Sequence, residues 1–312
     1  MITFLVYLQE NKTMVTEFHL LGFQVRQSLR ILIFSLFFLV YCLTICGNLL
    51  IIALVSTSKN LRTPMYFFIS QLSVSDILLP TDIVPKMLHI LVNSWGNITY
   101  IGCMIQLYIF CSSVVFECLL LAVMSYDRYV AICNPLHYTT IMTSDHCVIL
   151  STICWLSGFS INLIYTLTTA MLNFCGSNII DHFFCDLVPL LKLACSDTFI
   201  VNLEIYLLSI LIIIIPTTII IVSYKEIIVA IIRIPSSIGR QKAFSTCSSH
   251  LTVVSIFYWT MFSVYVVPNK GRTLNTSKIL SLLYTVFTPL INPIIYSLKN
   301  EDIKKAIQRK IL

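Results

Sequence analysis

Charge is scarce in this chain: Asp, Glu, Lys and Arg make up 11% of its 312 residues, while 57% are hydrophobic. A soluble domain is about a quarter charged, so a water-exposed globule is excluded. Glycine is scarce too, eight in all, and none is arranged as a phosphate-cradling loop. No Ser-His-Asp arrangement stands out. The twelve cysteines include no Cys-x-x-Cys pair, which disfavours a zinc centre. Gly-x-Gly-Asp, which marks intramembrane aspartyl proteases, is also missing. Together these absences leave no catalytic constellation and no metal site.

What fills the chain is apolar sequence. A membrane-spanning helix needs about 20 mostly apolar residues. Seven such runs occur, at 31–56, 65–88, 102–134, 147–171, 203–232, 243–267 and 279–298. They are apolar on all sides and lack the alternation of barrel strands, so they read as helices. The expected fold is an all-α membrane protein, a seven-transmembrane helix bundle with a short C-terminal amphipathic helix. Its parts are an N-terminal tail (1–30), the bundle (31–298) and a C-terminal segment (299–312). In that last segment Lys and Glu alternate with Ile, Ala and Leu at helical spacing, as in a helix lying on the membrane. The apolar opening, residues 1–8, lacks a basic flank and a cleavage site and reads as tail; Met14 offers an alternative start.

The net charge of +6 matters through its placement. Lys59, Arg62, Arg233, Arg240, Lys242 and a C-terminal group (Lys299, Lys304, Lys305, Arg309, Lys310) fall on one side of seven spans, which the positive-inside rule makes cytoplasmic. The N-terminus is then extracellular, in a multi-pass protein of the plasma membrane. Glycosylation sequons at Asn11, Asn97 and Asn275 all fall on the outer face. Beside a membrane, a basic tail meets anionic lipid headgroups, and no nucleic-acid partner is expected.

Polar groups inside the runs need partners. Asn48 in span one serves either as packing glue or in a switch. Asp76 lies near mid-membrane in span two. Glu117 lies eleven residues before Arg128, about 20° of rotation and roughly 16 Å away along one helix face. If that face looks inward, Asp76 and Glu117 share a pocket and require a cation, a proton or donors between them. A proton-coupled transporter also uses such acids, but no inverted repeat or pair of interrupted helices accompanies them. The adjacent charges Asp127-Arg128, at the end of span three, read as a latch.

Asp127-Arg128-Tyr129 resembles the motif closing the third helix of rhodopsin-like G-protein-coupled receptors. Its setting, Met-Ser-Tyr-Asp-Arg-Tyr-Val-Ala-Ile-Cys-Asn-Pro-Leu-His-Tyr, resembles the olfactory receptor branch. Leu61-Arg62-Thr63-Pro64-Met65-Tyr66-Phe67-Phe68, with Arg62 where that family usually has His, is similar to its first inner loop. Residues 242–251 resemble its signature opening span six, and Asn292-Pro293-x-x-Tyr296 resembles the receptor switch motif. The resemblance covers 16–299. It implies disulfides Cys103–Cys185 and Cys175–Cys195, where the four outer cysteines alone allow three pairings. It also implies an internal sodium ion or proton at Asp76 with Glu117, and switch roles for Tyr224, Asn292, Pro293 and Tyr296, with Pro216 as a bend near the pocket. The function implied is reception of a small volatile odorant and activation of a stimulatory heterotrimeric G protein beside Arg128, raising cyclic AMP.

Helical phase suggests pocket walls: Leu107, Phe110, Cys111 and Val114 on span three, Leu208 and Ile212 on span five, and Tyr258, Met261, Phe262 and Tyr265 on span six. The group is mostly apolar and predicts a hydrophobic ligand with one or two polar atoms, oriented by Tyr258 or Tyr265. Trp259 replaces the family's usual Gly and either fills part of this pocket or faces lipid. Trp155 reads as a packing aromatic. His182 reads as a solvent-exposed loop residue, with a ligand contact as the sharper alternative.

Overall fold

The structure is a computed structural model that describes residues 15–175, 177–263 and 274–311. Helices follow the apolar runs. These are α1 Gln27–Thr57, α2 Pro64–Asn93, α3 Tyr100–Cys133, α4 Ser144–Ala170, α5 Phe199–Ile232 and α6 Ser237–Met261. Helix α7 comprises Leu274–Leu282, Leu283–Phe287 and Thr288–Lys299, and α8 is Glu301–Ile311. Among the described residues, α1 to α5 and α7 are long and apolar enough to cross a membrane. Helix α6 is less apolar because it opens with Ser-Ile-Gly-Arg-Gln-Lys-Ala-Phe-Ser-Thr-Cys-Ser-Ser-His, yet it packs against α3, α5 and α7.

Local chemistry sets several helix starts. The hydroxyls of Thr99, Thr143 and Ser236 accept from the backbone N–H of Gly102, His146 and Gly239, each satisfying one donor that a first turn leaves open. Two wider turns, Ile210–Ile214 in α5 and Leu283–Phe287 in α7, stand just before Pro216 and Pro289. A proline has no N–H to give, which loosens the i→i+4 ladder at those points. Helices α3 and α4 pack closely at Gly158, where a Cβ would meet the Ser112 carbonyl oxygen at 2.8 Å. Next to it Trp155 stacks on Phe116 at 3.7 Å and donates to Gln71.

Part of the expected tail is ordered differently. Helix α1 begins at Gln27, and before it a strand, β1 (Glu17–Leu20), lies between β2 (Gly96–Thr99, antiparallel) and β3 (Ile179–Ile180, parallel). Phe18 and Leu20 are fully buried while Glu17 is exposed, the two-residue period of a half-buried strand. Phe18 packs on Tyr100 and Phe174. This sheet closes one end of the bundle. At the other end, the Tyr66 hydroxyl bonds Asn300 Oδ1 and Asp302 Oδ2, each at 3.0 Å, and holds α8 against α2.

Candidate functional site

A cavity of about 220 Å³ lies between α3, α4, α5, α6 and the segment after β3, in the half of the bundle nearer the sheet. Six of the ten residues expected at a ligand wall line it: Phe110, Cys111, Val114, Leu208, Ile212 and Met261. Leu107 does not; it is buried nearer the sheet, in a cluster with Cys103 and Cys185. Tyr258 is absent from the lining and reaches sideways, its hydroxyl donating to the Cys118 carbonyl at 3.2 Å. Phe262 is a correction: it is half exposed on the outside of α6. The buried face of α6 runs through His250, Val254, Phe257 and Met261, which leaves Phe262 about 100° away from Met261. Trp259, 73% exposed, also faces outward and takes no cavity volume. Tyr265 lies outside the described residues.

The cavity wall also holds polar groups that the apolar pattern did not reveal: Asn162, Tyr165 and Asp186. The disulfide Cys103–Cys185 fastens the loop to α3, with Cα atoms 5.4 Å apart. Asp186 follows it and caps the short loop helix Leu187–Leu193, its Oδ1 accepting from Leu187 N at 2.8 Å. Gln106 secures the same place, accepting from Cys185 N at 2.9 Å and donating to the Asp82 carbonyl at 2.8 Å. Burial pushes the Asp186 carboxyl up to about 6, against the pull of the Leu187 N–H.

Deeper in the bundle, Asp76 and Glu117 are both buried. Asp76 accepts from Asn292 and Glu117 accepts from Ser75 at 2.8 Å. Asn48 faces inward, donating to the Pro289 carbonyl at 3.1 Å. The sequence pattern named Asn292 for its motif but did not pair it with Asp76, because a contact between α2 and α7 leaves no trace in local spacing.

Toward α8, Asp127 holds Arg128 (Nε to Oδ2, 2.9 Å) and accepts from Tyr138 at 2.9 Å. Tyr129 is half-buried beside them, its ring 6.5 Å from that of Tyr126. The Tyr224 hydroxyl meets His250 Nδ1 at 2.6 Å. Tyr296 is buried beside Pro293, and its hydroxyl has no partner among the described residues.

A profile of the olfactory receptor family matches residues 37–312. Olfactory receptor 10A7 of Homo sapiens is 45% identical over 302 residues, spanning 97% of this chain and 96% of the relative. Olfactory receptor 1496 of Rattus norvegicus is 46% identical over 301 residues, 96% of this chain and 97% of the relative. Olfactory receptor 5G9 of Mus musculus is 45% identical over 302 residues, 97% of this chain and 96% of the relative. The chain belongs to the olfactory receptor family.

As an olfactory receptor it is a multi-pass plasma membrane protein and not an enzyme. Both disulfides implied by the resemblance are formed, Cys103–Cys185 and Cys175–Cys195. In this receptor His182 is a correction, because it is 4% exposed and packed between Phe183 and Phe184 with ring centroids 4.6 and 4.7 Å away. Burial, together with the charge of Lys278, pushes the imidazole down to about 3. Lys278 itself, which the sequence did not single out, is buried between Asp181 Oδ1 at 2.5 Å and the Gly22 carbonyl at 2.7 Å. Of the sequons, Asn97 is exposed on β2 with its amide bonded to Glu17 and His19. Asn11 and the side chain of Asn275 lie outside the described residues.

Proposed function

We propose that this odorant receptor binds a small, largely apolar volatile ligand in the 220 Å³ cavity and activates a stimulatory heterotrimeric G protein at the α8 end, raising cyclic AMP. The observation that carries this reading is the pairing, in one bundle, of a mostly apolar cavity near the sheet with the Asp127–Arg128 pair at the opposite end. The cavity lies below the roughly 300–1,000 Å³ of drug-sized pockets, which suits a compact ligand. A ligand that binds one packing of α3, α5 and α6 better than another shifts the balance between them by its differential affinity. Tyr224, Asn292, Pro293 and Tyr296 take the switch roles.

In this reading the N-terminus and the sequons Asn11, Asn97 and Asn275 are extracellular, as is the sheet end, and the basic α8 end is cytoplasmic against anionic lipid. Asp76, Glu117, Ser75 and Asn292 supply oxygen donors and a negative charge that fit a sodium ion or a proton. Such an ion would neutralise buried charge there.

The test is cyclic AMP in cells displaying the receptor with a stimulatory olfactory G protein, across a broad odorant panel, beside Arg128→Ala. A dose-dependent rise that the variant loses at equal surface level is expected. A displayed receptor whose response survives Arg128→Ala sinks the coupling role.

A further inference from the structure

We infer that the cavity is built for a small protonated amine: an ammonium group held by Asp186, carried on an apolar body. The inference rests on the odorant-receptor reading and names the ligand class for the same cavity.

Asp186 is 5% exposed and forms part of the cavity wall. One oxygen caps the loop helix, and no cation answers its charge. Among the described residues the ion pairs are Arg128–Asp127, Lys225–Glu226 and Lys278–Asp181, so buried Lys278 of α7 is already taken by Asp181 of the loop. A second acceptor stands in the same wall. Asn162 is 4% exposed and spends its amide nitrogen on the Gly158 carbonyl, leaving its Oδ1 without a donor among the described residues. Both residues line the cavity, where a ligand can donate to these oxygens.

The surroundings add to the negative field. Gln106 bridges from the Asp82 carbonyl to the Cys185 N–H and so fixes the loop that carries Asp186 against the wall. Glu204, bonded to Thr168 at 2.6 Å, acts on Tyr165 in the wall from the α5 side. Acids of one sign around a low-dielectric cleft concentrate cations in it. An ammonium offers three donors and no acceptor, which matches this wall. A carboxylate ligand would meet repulsion, and a hydrocarbon would leave every acceptor unpaired. At about 30 Å³ for each water-sized group, 220 Å³ has room for roughly seven such groups.

The experiment uses the intact receptor at the cell surface. It measures cyclic AMP dose–response curves for heptylamine, heptanol and heptanoic acid, for benzylamine, benzyl alcohol and benzoic acid, and for a broad set of neutral aldehydes, ketones and esters. Amines are expected to act at concentrations at least tenfold lower than the matched alcohols, with the acids silent. Asp186→Asn keeps the cap acceptor and removes the charge. It should raise the amine EC50 at least tenfold while moving that of a neutral agonist less than threefold. If Asp186→Asn is not displayed, Asp186→Ser, which also keeps a cap acceptor without the charge, carries the test, with the same amine-selective rise in EC50 expected. A displayed receptor that answers neutral odorants but favours no amine overturns the inference and leaves the odorant-receptor reading standing. Silence to every class overturns both, and so does an amine response equal in wild type and the displayed variant for the inference alone.

Discussion

Asn292 directs one amide nitrogen at both carboxylate oxygens of Asp76, at 3.0 and 3.1 Å, and thereby joins α7 to α2 in the middle of the bundle. Asp76 is 1% exposed, so the loss of that donor would leave a buried acid without the partner it has. Asn292→Ala should destabilise the receptor by about 1–3 kcal/mol, seen as a lower melting temperature in nanodiscs. Adding Asp76→Asn should recover much of the loss by removing the charge. A wild-type melt for the single variant would refute the link.

Asp127 restrains Arg128 from the adjacent position and is itself held by Tyr138. Asp127→Asn weakens that hold. A difference on the order of 1 kcal/mol shifts a two-state balance about fivefold, so ligand-independent cyclic AMP should rise about that much at equal display. Tyr138→Phe should produce a smaller rise. Baselines identical to wild type in both variants would mean that this pair restrains nothing.

Trp259 and Met261 are two residues apart on α6 and face opposite environments, 73% and 5% exposed. Trp259→Gly should leave agonist EC50 within about twofold, whereas Met261→Ala removes apolar wall area and should weaken binding about tenfold. Dose–response curves on surface-matched cells decide this. The reverse ranking would place the indole, not the thioether, at the ligand.

The loop beneath the sheet carries two groups with opposite pH behaviour. His182 remains neutral when folded, pushed from 6.5 to about 3 by burial and Lys278. Its contribution to stability is present above pH 6.5 and is lost as pH falls toward 3. Asp186 is pushed from 3.8 to about 6 by burial. Its contribution is present below pH 3.8 and is lost as pH rises through about 6. Between pH 7 and pH 5, His182 costs about 2 kcal/mol and Asp186 returns about 1 kcal/mol. Acidification should therefore lower the melting temperature of Asp186→Asn more than that of wild type, and that of His182→Gln less. Three identical pH responses would show that neither group titrates in this window.

The sequence by itself determined the membrane class, the helices and the family, because each rests on local information. About 20 apolar residues cross a bilayer whatever their neighbours do, and Asp127-Arg128-Tyr129 and Asn292-Pro293-x-x-Tyr296 can be read in line. Facing was harder. Side chains turned to lipid and side chains turned to the core are equally apolar, so Phe262 and Met261 look alike in sequence, and only the packing of α6 on its neighbours separated them. Tertiary structure alone also decided which polar groups meet. Asp76 with Asn292, Gln106 with Cys185, and Lys278 with Asp181 join residues 216, 79 and 97 positions apart. The strand Glu17–Leu20 likewise draws its partners from 96–99 and 179–180. Short strands and loop residues such as His182 and Asp186 owe their burial to segments far along the chain, and no local pattern of apolar and polar residues records that.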